Sequence, residues 1–483
     1  MIRAYGLKNY SNKGKLEEVR KVFPWYRATA EAVAKDQWNY FYFHSRFNKF
    51  ENFSKTGVKT GLSARYFQTI RAQVSGQLKS FVTNLSHKIK RIITKSSLSK
   101  EQKKKLYIIN KYQFWYLAPF TSKAGIFYSE QDLKLSRKLF KQALRQNSKP
   151  SFNRINMVLD SKVCEIHKKS DTKSSSFDFW IRISTTRRGS PVWVPLNSNY
   201  YFKSRKGELK AITQINVNRK GNLEFKLVKD IPMESYEPLQ EVISLDLGFK
   251  DSFLHDCHGG HFGAQFLTKL KHYIEEINRL KQARGTIGLK DWSPRLDRIN
   301  DKTRSLIKNE VNRIVNRIIQ VHKPEKIVVE DLDFRGSKIG KSWNRLMSNY
   351  GQNTLMKKLD SVQDLLGIEI IKVNPAYTSQ ECSGCGYIDK KNRDSDEFWC
   401  CACGLKLQAD TNASRVIKNR SSILGLGVSF MSRKEILSVL VKKFLDQNWE
   451  RFSAFTGRNP RPNSWAGVFE GNPYFSQELK LLG

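Results

Sequence analysis

Residues 241–249 read EVISLDLGF, a strongly apolar run that closes on an aspartate and a glycine. Short apolar runs bounded by turn residues mark buried strands, and this one ends at Asp246. A second run, KIVVEDL (326–332), carries Glu330 in the same way, and a third, IEIIKVN (368–374), follows it. Between the first two lie helical patterns. Leu270, Tyr273, Ile274, Ile277 and Leu280 share one face, and Leu306, Ile307, Val311, Ile314, Val315 and Ile318 share another. A further helix is expected around 345–366, and ADTNASRVIKNR (409–420) opens like a helix with Asp410 in its first turn. Strands alternating with helices predict an α/β unit from 241 onward.

Antiparallel first strands followed by α/β crossovers make the RNase H-like plan. There a carboxylate on the first strand meets one at the end of the fourth, and a third enters from a later helix. Asp246, Glu330 and Asp410 fit these places. Each alone reads equally well as a turn or cap residue; together they form one constellation. In-line phosphodiester hydrolysis needs an activated water and charge stabilisation on both attacking and leaving oxygens. Two Mg²⁺ ions about 4 Å apart supply both, held by a few hard carboxylate oxygens. Asp246 is expected to bridge the two ions, with Glu330 and Asp410 each holding one. Period-2 alternation puts Asp331 and Asp333 on the face opposite Glu330, which disfavours them as ligands.

Five of the seven cysteines crowd between 382 and 403. Cys382 and Cys385 form one CxxC pair, Cys400 and Cys403 a second, and residues 386–399 separate them. Such knuckles bring four thiolates around one Zn²⁺, and a closed four-cysteine site is structural, not catalytic. Four free buried thiols are the plainer alternative, and they account less well for the spacing. Cys401 breaks the two-residue gap. His255, Cys257, His258 and His261, beside Gly259 and Gly260, form a second cluster that a hairpin turn explains adequately.

Working outward, residues 150–235 hold β-rich runs such as FDFWIRIS (177–184) and LEFKLVKD (223–230), parted by polar turns such as KKSDTKSSS (168–176) and NRKGN (218–222). They predict a small antiparallel unit, joined by a strand from residues 1–12. From 15 to 145 the pattern is mainly helical, with Ser99 and Gln102 as a capping box. Trp38, Phe41, Tyr42, Phe43, Phe47, Phe50 and Phe53, with Arg46 and Lys49 among them, could stack on unpaired bases. Their 3–4 spacing favours a buried helix face instead. Beyond 430 come an amphipathic helix, RKEILSVLVKKFLDQNW (433–449), and a loop-like PRPNSWAGVFEGNP (460–473).

Over 483 residues, 85 Lys and Arg face 45 Asp and Glu, a formal net charge of +40. A chain so charged repels itself unless a polyanion neutralises it, and nucleic acid is the natural partner. No stretch approaches the apolar length of a membrane span. The N-terminal MIRAYGLKNYSNKGK lacks an apolar signal core, and the clustered cysteines suit a reducing compartment, so a cytoplasmic protein is expected.

The order DLG (246–248), VVEDL (328–332), CxxC–CxxC, then ADTNAS (409–414) resembles the TnpB proteins of insertion-sequence transposons and the related miniature type V CRISPR effectors. DLGFKDS resembles the first RuvC motif, with Asp246, Gly248 and Lys250 on the family positions. VVEDLDF resembles the second, with Glu330 as its acid, and DTNAS the third, with Asp410 as the acid and Asn412 as its companion. NPAYTSQECSGCG (374–386) resembles the lead into the family's zinc-binding target-nucleic-acid domain, and SNYG (348–351) the segment before its lid helix. Arg393, in KKNRDSDEFWC (390–400), resembles an arginine that sits near the scissile phosphate; simple surface solvation is its other reading.

The resemblance implies a multidomain α/β plus helical fold: an RNase H-like (RuvC) nuclease domain with an inserted zinc ribbon, a helical recognition lobe and a wedge-like antiparallel β-barrel. The expected parts are the wedge at 1–14 and 148–238, the helical lobe at 15–147, and the nuclease domain at 239–376 and 404–425. The ribbon is expected at 377–403, and a tail without a family motif at 426–483. It implies a Mg²⁺-dependent, RNA-guided DNA endonuclease with two catalytic Mg²⁺, one structural Zn²⁺, a guide RNA, and double-stranded target DNA bearing a short flanking motif. Monomer and homodimer both fit. A miniature CRISPR effector is the nearest alternative. A guide-RNA-dependent DNA-binding protein or transposase accessory without cleavage is a third, which leaves the three acids as accident.

Overall fold

The structure is a computed structural model. It describes residues 1–48, 61–122, 125–171, 176–218, 221–248, 250–286, 293–332, 352–423, 431, 433–453, 472 and 474–475. Phe50, Phe53, Asp333 and the SNYG segment lie outside these. The chain divides into two compact units, Met1–Pro232 and Met233–Gly483.

The first unit joins helices to an antiparallel sheet. Its strands are β1 (Ile2–Asn9), β4 (Met157–Asp160), β5 (Cys164–Lys168), β6 (Phe179–Ile183), β7 (Val192–Asn197), β8 (Glu208–Val217) and β9 (Leu223–Asp230), in the order β4-β8-β9-β1-β7-β6-β5. β1 lies at the centre because its alternating pattern finds partners on both edges, Tyr5 opposite Leu227 on one side and Lys8 opposite Asn197 on the other. The two edge strands β4 and β5 are joined by a tight turn closed by Val163 N–H to the Asp160 carbonyl at 3.1 Å, so the sheet curls into a nearly closed barrel.

The helices of this unit are α1 (Lys13–His44), α2 (Ala64–Lys95), α3 (Lys100–Lys111), α4 (Glu130–Gln146) and the short α5 (Tyr200–Ser204), with a ribbon of β2 (Phe120–Thr121) and β3 (Phe127–Tyr128). The Ser99–Gln102 capping box is formed at α3. The aromatic stripe of α1 is core: Phe41 is fully buried, stacked on Phe47 at 4.9 Å and packed on Trp115 and Phe140. Phe43 is the exception, at 80% exposure, because α1 turns it away from that cluster.

The second unit is built on a five-stranded sheet of β10 (Gln240–Leu247), β11 (Leu254–Asp256), β12 (His261–Phe262), β13 (Pro324–Glu330) and β14 (Glu369–Val373), ordered β12-β11-β10-β13-β14. The first three strands are antiparallel neighbours, and β10, β13 and β14 run parallel. This is the strand order of the RNase H-like fold. Helices α6 (Ala264–Thr286), α7 (Pro294–His322) and α8 (Gln352–Leu366) cover one face. Leu270, Ile274, Ile307, Val311, Ile314 and Val315 meet Ile243, Leu245, Ile327 and Val329 there in one core. Helix α9 (Ala409–Arg420) lies against β10 on the other face, with Ile417 packing on Val328 and Val373.

Candidate functional site

Asp246 is the next-to-last residue of β10, Glu330 the last of β13, and Asp410 lies in the first turn of α9. Neighbouring parallel strands that end together put the first two acids side by side. A pair of buried serines brings the third. Ser244 Oγ donates to the Ser414 carbonyl at 2.6 Å and Ser414 Oγ donates to the Ser244 carbonyl at 2.9 Å, both side chains sealed from solvent. Small residues at this crossing let the helix backbone approach the strand closely, and Asp410 then joins Asp246 and Glu330 at the ends of β10 and β13.

Asp246, Glu330, Asp410 and Arg393 line one open cleft of about 530 Å³, with Lys250, Lys271, Thr378 and Asp396. Asp246 is held well above the usual carboxylate range, first by burial and then by the charges of Glu330 and Asp410. Burial also raises Glu330, against a hydrogen bond from Thr378 Oγ1 to its Oε1 at 2.5 Å. Asp331 does not line the cleft; its N–H donates to the Val373 carbonyl at 2.9 Å.

This donor set suits hard cations. Asp246 is buried beside the charges of Glu330 and Asp410, which Thr378 on Glu330 and Arg393 on Asp410 offset only in part, and carboxylate oxygen is the ligand Mg²⁺ prefers. The three carboxylates do not all come within 4.8 Å of one another, unlike the cysteine cluster.

Gly248 of the DLG motif has a steric reason. A Cβ there would lie 2.3 Å from the Ser252 carbonyl oxygen and 2.5 Å from His255 Nε2. His255 is buried opposite Asp246 on β11, and its Nε2 stands 3.4 Å from Asp410 Oδ2, an ion-pair distance without hydrogen-bond alignment. Its Nδ1 meets His261 Nδ1 at 2.9 Å. His258 instead stacks on His322, so the histidines serve a β11–β12 hairpin and do not converge as metal ligands.

Cys382, Cys385, Cys400 and Cys403 do converge, with all four sulfurs within 4.8 Å. Cys382–Cys403 and Cys385–Cys400 are both 3.6 Å apart, close to the sulfur spacing of about 3.8 Å expected for a tetrahedron with Zn–S bonds of about 2.3 Å. Each knuckle ends in a glycine with positive φ, Gly386 at 81° and Gly404 at 75°. Cys401 stands outside, facing Asn392. A small sheet of β15 (Arg393–Asp394), β16 (Glu397–Trp399) and β17 (Lys406–Gln408) completes the ribbon.

The ribbon is stitched to the acids. Arg393 Nη2 donates to Asp410 Oδ1 at 2.8 Å, and Lys250 pairs with Asp396. Asn412 lies away from the cleft. Its amide donates to the Glu381 carbonyl at 2.8 Å and its Oδ1 accepts from Ser383 N–H at 3.0 Å, so it fixes the first knuckle on α9. Sequence reasoning missed Thr378, which holds Glu330, and read His255 as part of a hairpin cluster without bringing it to Asp410. Thr378 follows Tyr377, whose φ of 66° is a strained conformation costing about 1–3 kcal/mol in a residue with a side chain. Only its place in the NPAYTSQECSGCG stretch hinted at it.

Residues 353–417 match the family model described as Cas12f1-like, TNB domain. That span contains the ribbon and Asp410. The chain is distantly homologous to the CRISPR-associated endodeoxyribonuclease Cas12f1. It is 33% identical to the protein from Sulfoacidibacillus thermotolerans over 227 residues, covering 44% of this chain and 53% of that one. With the protein from Syntrophomonas palmitatica it shares 25% over 241 residues, covering 46% and 47%. The chain thus matches about half the length of these curated relatives. Among solved structures, a Cas12f1–sgRNA–target DNA complex is similar at TM-score 0.42 and 15% identity, covering 87% of this chain and 99% of that one. The mini-RNA-guided endonuclease CRISPR-Cas_phi3 is similar at 0.43 and 14%, covering 88% and 93%. Among the described residues, no helix is long and apolar enough to cross a membrane.

Proposed function

We propose that this chain is an RNA-guided DNA endonuclease of the TnpB type, cutting with a two-metal RuvC-like site. The carrying observation is the meeting of Asp246, Glu330 and Asp410 in one cleft of an RNase H-like sheet, beside a four-cysteine ribbon. Bound Mg²⁺ would activate the attacking water and stabilise charge on the leaving oxygen. Asp246, Glu330 and Asp410 would hold the ions. Thr378 orients Glu330, and Arg393 offers the cleft a guanidinium suited to a phosphate oxygen. One Zn²⁺ on Cys382, Cys385, Cys400 and Cys403 would lock the ribbon that carries Arg393. A guide RNA would supply sequence recognition by pairing, with the protein reading a short flanking motif in double-stranded DNA. The net charge of +40 supports a partner of that kind. In this reading 1–14 and 148–238 form the wedge, 15–147 the recognition lobe, 239–376 and 404–425 the nuclease domain, and 377–403 the ribbon.

A miniature type V CRISPR effector is the second reading, favoured by the Cas12f1-like ribbon and the names of the relatives. One experiment addresses both. The chain is expressed with its native flanking DNA and purified, and the RNA that stays bound is sequenced. A single abundant RNA ending in a variable guide is expected. Its origin at a transposon end supports the TnpB type, and its origin in a CRISPR array supports the effector. Random fragments would contradict both.

A further inference from the structure

The chain beyond residue 430 carries no motif, yet its described residues pack against the ribbon. Helix α10 (Arg433–Ser453) buries Ile436 and Leu440 on Tyr377 and Ile388, and Phe444 on Tyr387. Past it, Phe475 stacks on Tyr387 at 5.3 Å and 15°. Asn472 is 2% exposed, and its amide donates to Tyr387 Oη at 2.8 Å and the Ile388 carbonyl at 2.9 Å, with Asp389 Oδ2 at 3.4 Å. An amide sealed in this way with three acceptors on consecutive residues fixes the backbone it grips.

Two paths lead from these contacts to the acids. Asp389 accepts from Lys391 N–H at 2.9 Å and so starts the turn at Lys390–Asn392, which delivers Arg393 to Asp410. Tyr474 packs on Tyr377 at 5.4 Å and its hydroxyl donates to Gln380 Oε1 at 3.0 Å, while Arg433 lies over the Tyr377 ring at 4.8 Å. Tyr377 is the residue with the strained φ, and Thr378 next to it holds Glu330.

We propose that α10 with residues 472, 474 and 475 is a positioning element of the nuclease site: it sets Arg393 through Asn472 and Thr378 through Tyr474. This rests on the nuclease reading above. Asn472 and Tyr474 touch no reacting atom and act through the ribbon. Such supports matter because small misplacements of a catalytic group cost large factors in rate.

The test uses the full chain with its co-purifying RNA and a DNA duplex matching that RNA's guide stretch. It compares Asn472→Ala, Arg393→Ala and the double variant. Asn472→Ala is expected to lower kcat by roughly tenfold to a hundredfold with KM for DNA unchanged. Added to Arg393→Ala it should cost almost nothing more, because both act through one contact. Zinc should stay bound, while amide hydrogen exchange over 389–394 accelerates. Losses that simply multiply, or unchanged exchange over 389–394, would overturn the proposal. Exchange is read without cleavage, so a wild-type chain that cuts nothing would refute the nuclease reading separately from the effect of Asn472 on the turn.

Discussion

The guanidinium of Arg420 donates twice to one oxygen of Glu381, at 2.6 and 3.1 Å, and once to the Asn374 carbonyl at 2.6 Å, with Arg420 fully buried. Arg420 ends α9 and Glu381 precedes Cys382, so the pair rivets the ribbon to the helix that lies on the RNase H-like sheet. Burial pushes the Glu381 carboxyl up, and Arg420 opposes it. Arg420→Met should therefore strand a buried charge and cost about 3–5 kcal/mol in denaturant unfolding, while replacing both partners by apolar residues costs less. An unchanged midpoint in the single variant would contradict this.

Cys382 and Cys400 belong to the same buried cluster as Val441, Phe444 and Phe475 of the C-terminal segment. Replacing Cys382 and Cys385 by Ser should take zinc from one per chain to none by elemental analysis. It should also expose α10 to proteolysis, because its packing surface is the ribbon. Retained zinc would refute the four-cysteine assignment.

Gly248→Ala should be poorly tolerated. The added methyl meets backbone at Ser252 and the ring of His255, which is pinned by His261. Overpacking of this kind costs about 1–3 kcal/mol, read as a lower Tm, with cleavage falling as Asp246 and His255 shift. An unaltered Tm would show that the loop can yield.

Because burial and the neighbouring acids raise the folded pKa of Asp246, the folded state holds that proton more tightly than the unfolded chain, where the group titrates at about 3.9. The stabilisation is complete below that pH and is lost as pH rises through the folded pKa. In magnesium-free buffer, the Tm of the wild type relative to Asp246→Asn should therefore fall as pH rises. Adding Mg²⁺ at pH 8 should restore the wild type more than the variant. Parallel profiles with an equal Mg²⁺ response would argue against a cation site on Asp246.

Much of this architecture was legible because strands buried on both faces leave a clear mark: EVISLDL and KIVVE read as core strands and became β10 and β13. The CxxC spacing likewise leaves few arrangements for its sulfurs. The pairing of β1 between β7 and β9 was only partly legible, since alternation shows a strand but not its neighbours. The role of the tail was hidden for the same reason. The amphipathic pattern at 433–449 shows a face to bury without naming its partner, and Asn472 is one polar residue in a loop-like stretch. Thr378 acts through one long-range hydrogen bond and the Ser244–Ser414 pair through two, which no local periodicity reports.

The most direct measurement is cleavage of a plasmid bearing the sequence matched by the co-purified RNA, with Mg²⁺, by the wild type and by Asp246→Ala. The account predicts that the wild type cuts, that Asp246→Ala retains the RNA and does not cut, and that chelating Mg²⁺ reproduces the variant in the wild type. Cutting by Asp246→Ala at the wild-type rate would contradict the active site, and no cutting by the wild type would contradict the endonuclease itself.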